Sequence, residues 1–332
     1  MFPRQHLLKP PTFLALRLLS SSSARSKSIF DIGTKVIANS DKTKYSDNKY
    51  ITHPAFPHPK WTDEQVASVS YEHRPPKTAM DRFVFRCIST VRTTFDLVTG
   101  YKKPRTPEEK EHRFKGTRWE MTESKWLTRV IFLESVAGVP GMTAAFLRHL
   151  HSLRLMKRDK AWIETLLDEA YNERMHLLTF MKIGRPSWFT KVFVFAGQGV
   201  FCNLFFLMYL LLPRACHRFV GYLEEEAVST YTHLIEELEA KRLPKFDGIT
   251  VPEVAQLYWP ELNEKSTFLD LIQRIRADES KHREVNHTLA NLDQKEDRNP
   301  YAMQLPDVDK PQPTNDLKGK NRAGWERKDL IV

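Results

Sequence analysis

Cysteine is scarce in this sequence, and its spacing excludes several kinds of site. The chain has three cysteines, Cys87, Cys202 and Cys216, with no Cys-x-x-Cys pair among them. A disulfide framework and an iron–sulfur cluster are therefore not expected. The formal charge of +10 suits an anionic membrane surface or a nucleic acid, but no motif of interleaved basic and aromatic residues is present. We therefore predict no nucleic-acid partner.

Acidic residues are missing from the start of the chain. The first 28 residues contain five lysines or arginines and a run of serines at 20–23, and the first acid is Asp31. This composition is typical of a mitochondrial transit peptide, predicted here over residues 1–28, with a disordered basic tail as the alternative. Residues 29–80 are rich in proline, lysine, aspartate and histidine, and we expect them to form an extended arm.

Two Glu-x-x-His tetrads are the most informative motifs in the chain. Each is preceded by a further glutamate on a separate apolar stretch. In chain order the six residues are Glu134, Glu173, His176, Glu224, Glu279 and His282. Positions i and i+3 of a helix share one face, so each tetrad directs a carboxylate and an imidazole at the same point. Apolar residues at three- and four-residue spacing place all six on the core faces of their helices.

Two other tetrads fail the same test. Glu109 and His112 lie in a charged, loop-like segment without an apolar stripe, which predicts a solvated position. Glu284 and His287 follow the second tetrad on its own helix. Position 284 is turned about 140° from Glu279, at 100° per residue, so these two tetrads cannot serve one centre. Glu284 and His287 are therefore predicted to lie off the face that carries the ligands.

The chain order of these motifs predicts the fold. One glutamate from each of two helices and one Glu-x-x-His from each of two others is the ligand pattern of ferritin-like di-metal bundles. We therefore predict an all-α fold, with a ferritin-like four-helix bundle within residues 81–295 and a polar, proline-rich tail at 296–332. The four bundle helices are expected at 122–150, 158–183, 215–241 and 264–292.

Electrostatics favours a metal at this position. Four ionised carboxylates facing one another in an apolar core would repel and take up protons. Two divalent cations balance their charge, and oxygen and imidazole donors without thiolate suit iron or manganese better than structural zinc. The alternative, a buried salt-bridge network, requires basic residues on the same stripes. Arg174, Lys281 and Arg283 flank the ligands but are predicted to project elsewhere.

An uncharged stretch raises the question of a membrane span. Residues 192–213 carry no charge and are long enough to cross a bilayer. A single crossing would separate His176 from Glu224, which must lie side by side in the bundle. Segment 147–160 alternates leucine with arginine, histidine and lysine, and Trp188 begins an aromatic, basic stretch, as in helices that lie in one leaflet. We therefore predict membrane-interface helices added to the bundle.

Four motifs make the prediction more specific. They are LESVAGVPGM at 133–142, NERMHL at 172–177, LEEEAVSTYTH at 223–233 and RADESKH at 276–282. Together they closely resemble the alternative oxidases, the cyanide-insensitive terminal oxidases of mitochondria, over roughly residues 55–295. The resemblance implies a di-iron ubiquinol oxidase, often a homodimer, that lies on the matrix face of the inner membrane and reduces O₂ to water without pumping protons.

Other functions share parts of this pattern. Another membrane-bound di-iron enzyme, such as a quinone hydroxylase or a fatty-acyl desaturase, would use the same ligand types on a C–H bond. An iron-storage bundle would not need the apolar insert or the transit peptide. A purely structural protein of the membrane surface would bind no iron and would keep its fold and its binding after Glu173→Ala.

The resemblance also implies roles for individual residues. The six glutamates and histidines above would be the iron ligands, and Tyr231 would be the family's redox-active tyrosine. Asn172 and Asp278 would be partners of the metal-bound histidines, and His217 would lie near the site. The residues expected to line the quinol cavity are Arg92, Phe95, Arg129, Leu133, Ala227 and Thr230.

One departure from the family concerns regulation. Plant members carry regulatory cysteines in their amino-terminal region, one of them six residues before the first ligand. This chain has Thr128 at that position, and no cysteine precedes Cys87. Thiol control of the plant type is therefore not expected.

Overall fold

The predicted all-α fold is confirmed by a computed structural model of the chain, which describes residues 33–37, 53–306, 310–318 and 321–332. The predicted transit peptide lies outside these residues. The helices are α1 (Asp63–Ala67), α2 (Ala79–Thr99), α3 (Pro107–His112), α4 (Glu123–Leu155), α5 (Trp162–Ile183), α6 (Trp188–Leu211), α7 (Pro213–Glu239), α8 (Glu253–Tyr258) and α9 (Phe268–Leu289). Two short strands, β1 (Lys35–Val36) and β2 (Gly184–Arg185), pair antiparallel.

Local sequence signals set the starts of the bundle helices. Thr122 caps α4 by accepting a hydrogen bond from the backbone N–H of Lys125. Thr267 and Asp270 form a capping box at the start of α9. Pro213 stands in the first turn of α7, where its missing N–H removes no helical hydrogen bond. The helices therefore begin within a few residues of the predicted positions.

Four long helices form the bundle. Helix α4 packs along α5, and α7 packs along α9, while contacts of α4 with α7 and of α5 with α9 join the two pairs. The approach of α4 to α5 is close because Gly141 has no side chain. A Cβ atom there would lie 2.7 Å from the backbone oxygen of Leu166, well inside van der Waals contact. Helix α6 packs on α4, and α2 packs on α7.

Each bundle helix contributes to two separate apolar clusters. On α4, Trp126 and Ile131 belong to the first cluster and Ala144 to the second, with Glu134 between them in the sequence. On α9, Ile275 belongs to the first and Val285 to the second, and the same division occurs on α5 and α7. The predicted ligands therefore lie partway along the bundle, between two layers of packed apolar side chains.

The segments that flank the bundle pack back onto it. The first strand, β1, pairs with β2 at the end of α5. The side chains of Trp61 in the amino-terminal segment and of Trp325 near the carboxyl terminus are both buried. Trp61 packs with Val228 and Ala277, whereas Trp325 packs in the second apolar cluster. The described parts of the predicted arm and tail are therefore in contact with the bundle.

One side of the molecule is strongly apolar. Two helices, α4 and α6, are long and apolar enough to cross a membrane, although half of the relevant stretch of α4 is buried in the protein, against 11% of that of α6. Phe195 is 80% exposed and Leu211 is 76% exposed on α6. Segment 147–160, expected to resemble an amphipathic membrane-interface helix, continues α4 as far as Leu155. Its exposed leucines extend the apolar surface of α4 and α6.

Candidate metal centre

Four helices bring the six predicted ligands together. Glu134 lies on α4, Glu224 on α7, and one Glu-x-x-His tetrad on each of α5 and α9. The ligand atoms form two groups, within each of which every atom lies within 4.8 Å of the others. The groups are Glu134, Glu173, His176 and Glu279, and Glu173, Glu224, Glu279 and His282. Because Glu173 and Glu279 belong to both, the groups adjoin and could hold two ions that share two carboxylates.

Each histidine directs one ring nitrogen into the cluster. His176 Nδ1 lies 3.1 Å from Glu134 Oε2 and 3.3 Å from Glu279 Oε1. His282 Nδ1 lies 2.8 Å from Glu173 Oε1 and 3.7 Å from Glu279 Oε2. All five side chains are less than one-tenth exposed. The cluster is therefore a buried set of carboxylates facing two imidazole nitrogens.

The protein alone does not balance the charge of this cluster. Burial raises the pKa of Glu134 and of Glu224 well above the usual range, and the nearby carboxylates of Glu279 and Glu173 raise both further. Burial also acts to raise the pKa of Glu173, but the adjacent imidazoles of His176 and His282 outweigh it and lower that pKa. A divalent cation would remove the repulsion that raises the first two pKa values.

Several ligand atoms have no hydrogen-bonding partner among the described residues. Both carboxylate oxygens of Glu173, Glu279 Oε2 and His282 Nδ1 are buried and lack one, although His282 Nδ1 is close to Glu173 Oε1. Buried polar atoms in native proteins are nearly always paired, so atoms left without partners require an explanation. The predicted basic neighbours do not supply it, because Lys281 lies 3.1 Å from Glu284 and Arg283 donates to Ser70 O. The donor set therefore fits a metal.

Tyr231 contacts the cluster directly. It lies on α7, seven residues after Glu224, and its hydroxyl donates a hydrogen bond to Glu134 Oε1. Burial and then the negative charge of Glu134 raise the pKa of Tyr231 well above its usual value. The ring of Phe180 stacks on the tyrosine, with 6.4 Å between centroids and an interplanar angle of 7°. The phenol is therefore protonated, buried and held against a candidate ligand.

Asp278 contacts the ring nitrogen of His176 that points away from the cluster. An ionised carboxylate only accepts hydrogen bonds, so His176 Nε2 donates to Asp278 Oδ2 across 3.1 Å and leaves Nδ1 free to face the cluster. Asn172 donates to the same oxygen at 3.3 Å and to the hydroxyl of Tyr258 at 2.9 Å. Asp278 therefore contacts a candidate ligand, as expected from the sequence, whereas Asn172 reaches it only through Asp278.

Three neighbours of Asp278 were not anticipated from the sequence. Trp259 Nε1 donates to Asp278 Oδ2 at 2.9 Å, Trp61 Nε1 donates to Oδ1 at 2.5 Å, and His58 Nε2 donates to Oδ1 at 2.8 Å. His58 and Trp61 belong to the segment predicted as an extended arm. The only sequence signal for them is a cluster of histidines and a tryptophan in a proline-rich stretch, HPAFPHPKW at 53–61.

Comparisons with known proteins agree with this geometry. The sequence model described as "Alternative oxidase" matches residues 61–291. A mitochondrial alternative oxidase of Scheffersomyces stipitis is 65% identical over 91% of this chain and 85% of its own length. One of Wickerhamomyces anomalus is 65% identical over 93% and 91%, and alternative oxidase 2 of Candida albicans is 60% identical over 91% and 83%. The chain belongs to the alternative oxidase family.

Membership of the alternative oxidase family makes the protein an oxidase and confirms the resemblance predicted from the four motifs. The match covers the whole four-helix bundle, including all six candidate ligands. The relatives are named as mitochondrial proteins. Nothing in these comparisons favours a hydroxylase or a desaturase.

The residues expected at the quinol cavity of an alternative oxidase lie between α2, α4 and α7. Arg129 is buried and donates to Asp96 Oδ1 at 2.6 Å and to Thr99 Oγ1 at 2.9 Å. Its guanidinium lies over the ring of Phe95, 4.7 Å from the centroid. Arg92 pairs with Asp96 at 2.7 Å and with Glu226. Arg92, Phe95 and Arg129 therefore form one connected polar and aromatic group.

The other expected cavity residues lie close to ligands in the sequence. Leu133, which is half-buried, immediately precedes Glu134 on α4. On α7, Ala227 lies one turn before Tyr231, and Thr230 immediately precedes it. The hydroxyl of Thr230 donates a hydrogen bond to Glu226 O at 2.8 Å. These three residues are therefore near Glu134 or Tyr231 along their helices.

The hydrogen bonds of His217 run to residues that are not candidate ligands. Its Nε2 lies 3.0 Å from the Tyr209 hydroxyl and its Nδ1 lies 3.3 Å from Asn286 Oδ1. Asn286 in turn donates to His282 O at 3.1 Å. Burial lowers the pKa of His217 to about 3, so the imidazole is neutral. It is connected to a candidate ligand only through Asn286.

Proposed function

We propose that the protein is a di-iron ubiquinol oxidase that reduces O₂ to water without pumping protons. The observation that carries this proposal is the pair of adjoining buried groups that share Glu173 and Glu279. Residues in these two groups would hold two iron ions side by side, and the ions would supply electrons in pairs, which suits O₂ because it is a poor one-electron acceptor. The family match supports the same reaction.

Iron is the metal that the donor set favours. The candidate ligands are Glu134, Glu173, His176, Glu224, Glu279 and His282, which offer carboxylate oxygen and imidazole nitrogen but no thiolate. Such donors suit iron or manganese better than zinc, because structural zinc sites are rich in thiolate ligands. The reaction requires a metal that changes its oxidation state, because the protein supplies geometry and burial, whereas the cofactor supplies the electron chemistry.

The protein residues manage protons and exclude water around the iron ions. When bound, the two ions supply electrons to O₂. Tyr231 holds its proton against Glu134 Oε1, so loss of an electron from the phenol and movement of its proton to that carboxylate can occur together. Trp259 stacks on His176 with 5.7 Å between centroids and 9° between planes. This stacking shields one face of the imidazole from solvent.

The expected quinol residues support binding of a ring with two hydroxyl groups. Arg92, Arg129 and Thr230 provide donors or acceptors, while Phe95 and Leu133 provide apolar contact. Oxidation of the quinol releases two electrons and two protons, and two quinol molecules supply what one O₂ consumes. We assign the six residues Arg92, Phe95, Arg129, Leu133, Ala227 and Thr230 to this cavity.

The apolar surface of α4 and α6 supports attachment to one leaflet on the matrix face of the mitochondrial inner membrane. Helix α6 exposes most of its apolar side chains, whereas α4 carries Glu134 into the bundle and cannot cross a bilayer without burying a carboxylate there. A quinol dissolved in lipid could then enter the protein from the membrane plane. By family resemblance we propose that the membrane-attached protein is a homodimer.

The domain boundaries complete this proposal. Residues 1–28 would be the transit peptide, 29–80 the arm, 81–295 the di-iron bundle with its interfacial helices, and 296–332 the tail. Protease treatment of sealed inner-membrane vesicles tests the topology. Cleavage from one side only is expected, and tails accessible on opposite sides would contradict it.

One experiment tests the central proposal. The purified chain in lipid should consume O₂ when given ubiquinol, in the presence of cyanide, with quinone as the only organic product. Iron analysis should give about two ions per chain, as in di-iron bundles. Material without a transition metal would overturn the proposal. A hydroxylated quinone or an unsaturated acyl chain as product would favour the other di-iron enzymes instead.

A further inference from the structure

His58 is a buried histidine that the proposed mechanism does not use. It belongs to the segment before the bundle, and its side chain is only 1% exposed. Its Nε2 donates to Asp278 Oδ1 at 2.8 Å. Through Asp278, whose other oxygen accepts from His176 Nε2 at 3.1 Å, it connects to a candidate ligand. One carboxylate therefore lies between two imidazoles, and only one of them faces the metal cluster.

An aromatic box holds the His58 ring in place. Its centroid lies 5.5 Å from that of Trp61, 5.0 Å from that of Tyr258 and 5.8 Å from that of Trp259, at interplanar angles of 89°, 64° and 56°. Tyr258 and Trp259 come from α8 and the loop that follows it, whereas Trp61 comes from the same segment as His58. The ring is therefore fixed by contacts with two separate parts of the chain.

Packing alone does not explain an imidazole in this box. His58 Nδ1 is buried and has no hydrogen-bonding partner among the described residues. A buried polar atom without a partner lowers the stability of the folded protein. Phenylalanine would fill a similar space without that cost. The feature that distinguishes histidine at this position is the N–H that it donates to Asp278.

The number of donors on Asp278 affects His176. Asp278 accepts from two groups at Oδ1 and from three at Oδ2. Each donor draws negative charge away from the carboxylate, so removal of one strengthens the bonds to the others. A stronger bond to His176 Nε2–H makes that imidazole a better electron donor at Nδ1, which stabilises the more highly charged state of a bound metal.

We propose that His58 is a positioning residue that acts through Asp278 to fix the orientation of His176 and to set its donor strength. This role rests on the proposed di-iron function. The part of the arm around residue 58 then belongs to the metal centre and does more than pack against the bundle. The sequence places it about 120 residues before His176, so only the tertiary fold joins the two.

Three variants of the full-length holoprotein in lipid test the role. His58→Phe keeps the aromatic contacts and removes the N–H, whereas His58→Gln offers an amide N–H at a similar distance along the side chain. His53→Phe is the matched control, because His53 lies on the same segment and is exposed. Two properties are measured in each protein: the reduction potential of the bound iron, and the rate at which a chelator removes it.

His58→Phe should stabilise oxidised over reduced iron about tenfold, which lowers the potential by about 59 mV for one electron. Chelator should remove reduced iron roughly tenfold faster, because Asp278 loses a contact that fixes its position and loss of a supporting residue typically weakens metal binding by 10–100-fold. For oxidised iron, the stronger donor at His176 offsets this loss. His58→Gln should lie closer to the parent, and His53→Phe should match it. A merely structural role would lower the unfolding temperature without moving the potential.

The outcomes separate this role from the proposed function. If the parent binds two iron ions and His58→Phe leaves both the potential and the chelator rate unchanged, the role of His58 is wrong and the oxidase assignment stands. If His58→Phe does not fold, His58→Leu takes its place, because leucine also lacks the N–H that reaches Asp278. A lowered potential in that variant supports the role, and an unchanged or raised potential overturns it. A parent without iron overturns both.

Discussion

The two Glu-x-x-His tetrads of α9 occupy opposite environments on one helix. Glu279 and His282 face the other candidate ligands, where carboxylates meet carboxylates. Glu284 and His287, five residues farther along, are equally buried. Glu284 Oε1 accepts from Lys281 Nζ at 3.1 Å, from the Tyr301 hydroxyl at 3.0 Å and from Trp325 Nε1 at 3.2 Å. The second tetrad is therefore satisfied by the protein itself.

His287 shows the same difference. Its Nδ1 accepts from Arg218 at 2.9 Å, and its Nε2 donates to Glu225 Oε1 at 2.9 Å. Burial and the nearby arginines, Arg218 first, lower the pKa of His287 well below its usual value, so it remains neutral. Gly221 leaves room for the His287 ring because it has no side chain. A Cβ atom at position 221 would lie 2.4 Å from His287 Nδ1, which is too close for a non-bonded contact. Burial of a Glu-x-x-His tetrad thus does not indicate a metal unless compensating groups are missing.

The largest expected effect comes from the carboxylates that both groups share. Glu173→Ala should remove both metal ions and abolish oxidase activity, because Glu173 belongs to both groups. Glu134→Ala and Glu224→Ala each affect one group only, and each should keep about one ion per chain. Elemental analysis of the purified variants measures this. Full metal content in Glu173→Ala would show that the cluster is not the site.

Tyrosines in the two environments should behave differently. Tyr231 and Tyr301 each donate a hydrogen bond to a buried glutamate, Glu134 and Glu284 respectively. Tyr231→Phe should lower turnover by roughly 100-fold or more while iron is retained, since it removes a positioned proton carrier. Tyr301→Phe should cost about 1 kcal/mol of stability and leave turnover unchanged. Steady-state O₂ uptake and iron analysis distinguish them, and an active Tyr231→Phe would remove that residue from the mechanism.

The tetrad of Glu284 and His287, whose polar groups are paired within the protein, should matter for stability and not for metal binding. Glu284→Gln leaves the buried ammonium of Lys281 without its anion, and loss of one partner from a buried ion pair costs about 3 kcal/mol. Metal content should match the parent. Urea unfolding of the variant gives the stability, with surface substitution Glu236→Gln as a control, since Glu236 is exposed. Loss of iron in Glu284→Gln would break the distinction between the two tetrads.

The last effect is a pH dependence of stability that appears only after metal removal and that the iron-loaded protein should not show. Folding raises the pKa of Glu134 and Glu224 above the usual 4.5, so above that pH the folded metal-free protein binds protons that the unfolded chain has released. These two carboxyl groups should therefore lower its stability as pH rises above 4.5, by up to about 1.4 kcal/mol per pH unit for each group. The lowered pKa values of His217 and His287 act in the opposite direction below pH 6.5, so a net fall is expected above pH 6.5.

Folding also raises the pKa values of His176 and His282, although burial acts against this shift, so stability should fall further above their usual value of 6.5. Urea unfolding of chelator-treated protein at several pH values measures the slope. The iron-loaded protein is the control, because the cation takes the place of the protons. A metal-free protein that becomes more stable as pH rises above 6.5 would contradict the electrostatic account.

Helical periodicity was sufficient to find the candidate ligands. Each of the six lies at a core position of a long helix, and such positions are encoded locally by apolar residues three and four apart. The same rule separated Glu279 from Glu284, since five residues turn a helix by about 140°. It could not reveal that Glu284 is buried, because its partners Tyr301 and Trp325 lie in the segment predicted as a polar tail.

The contacts of His58 and His217 show the limit of local reasoning. His58 reaches Asp278 across 220 positions of sequence, and no periodic pattern marks a short irregular segment. His217 was expected near the site on a helix that does carry a ligand, yet its contacts run to Tyr209 and Asn286. The direction of a side chain from a helix follows from the sequence, but the group that it meets depends on the neighbouring helices.

The sequence by itself determined the helices, the faces that carry the six candidate ligands, and the family, because all of these depend on the order and spacing of residues along short stretches. Only the tertiary structure decided which buried charges have partners. It brings the Tyr301 hydroxyl and the Trp325 indole N–H to Glu284 and leaves Glu173 facing other carboxylates. Charge compensation depends on distances between segments far apart in the chain, and those distances are set by how the helices, the arm and the tail pack together.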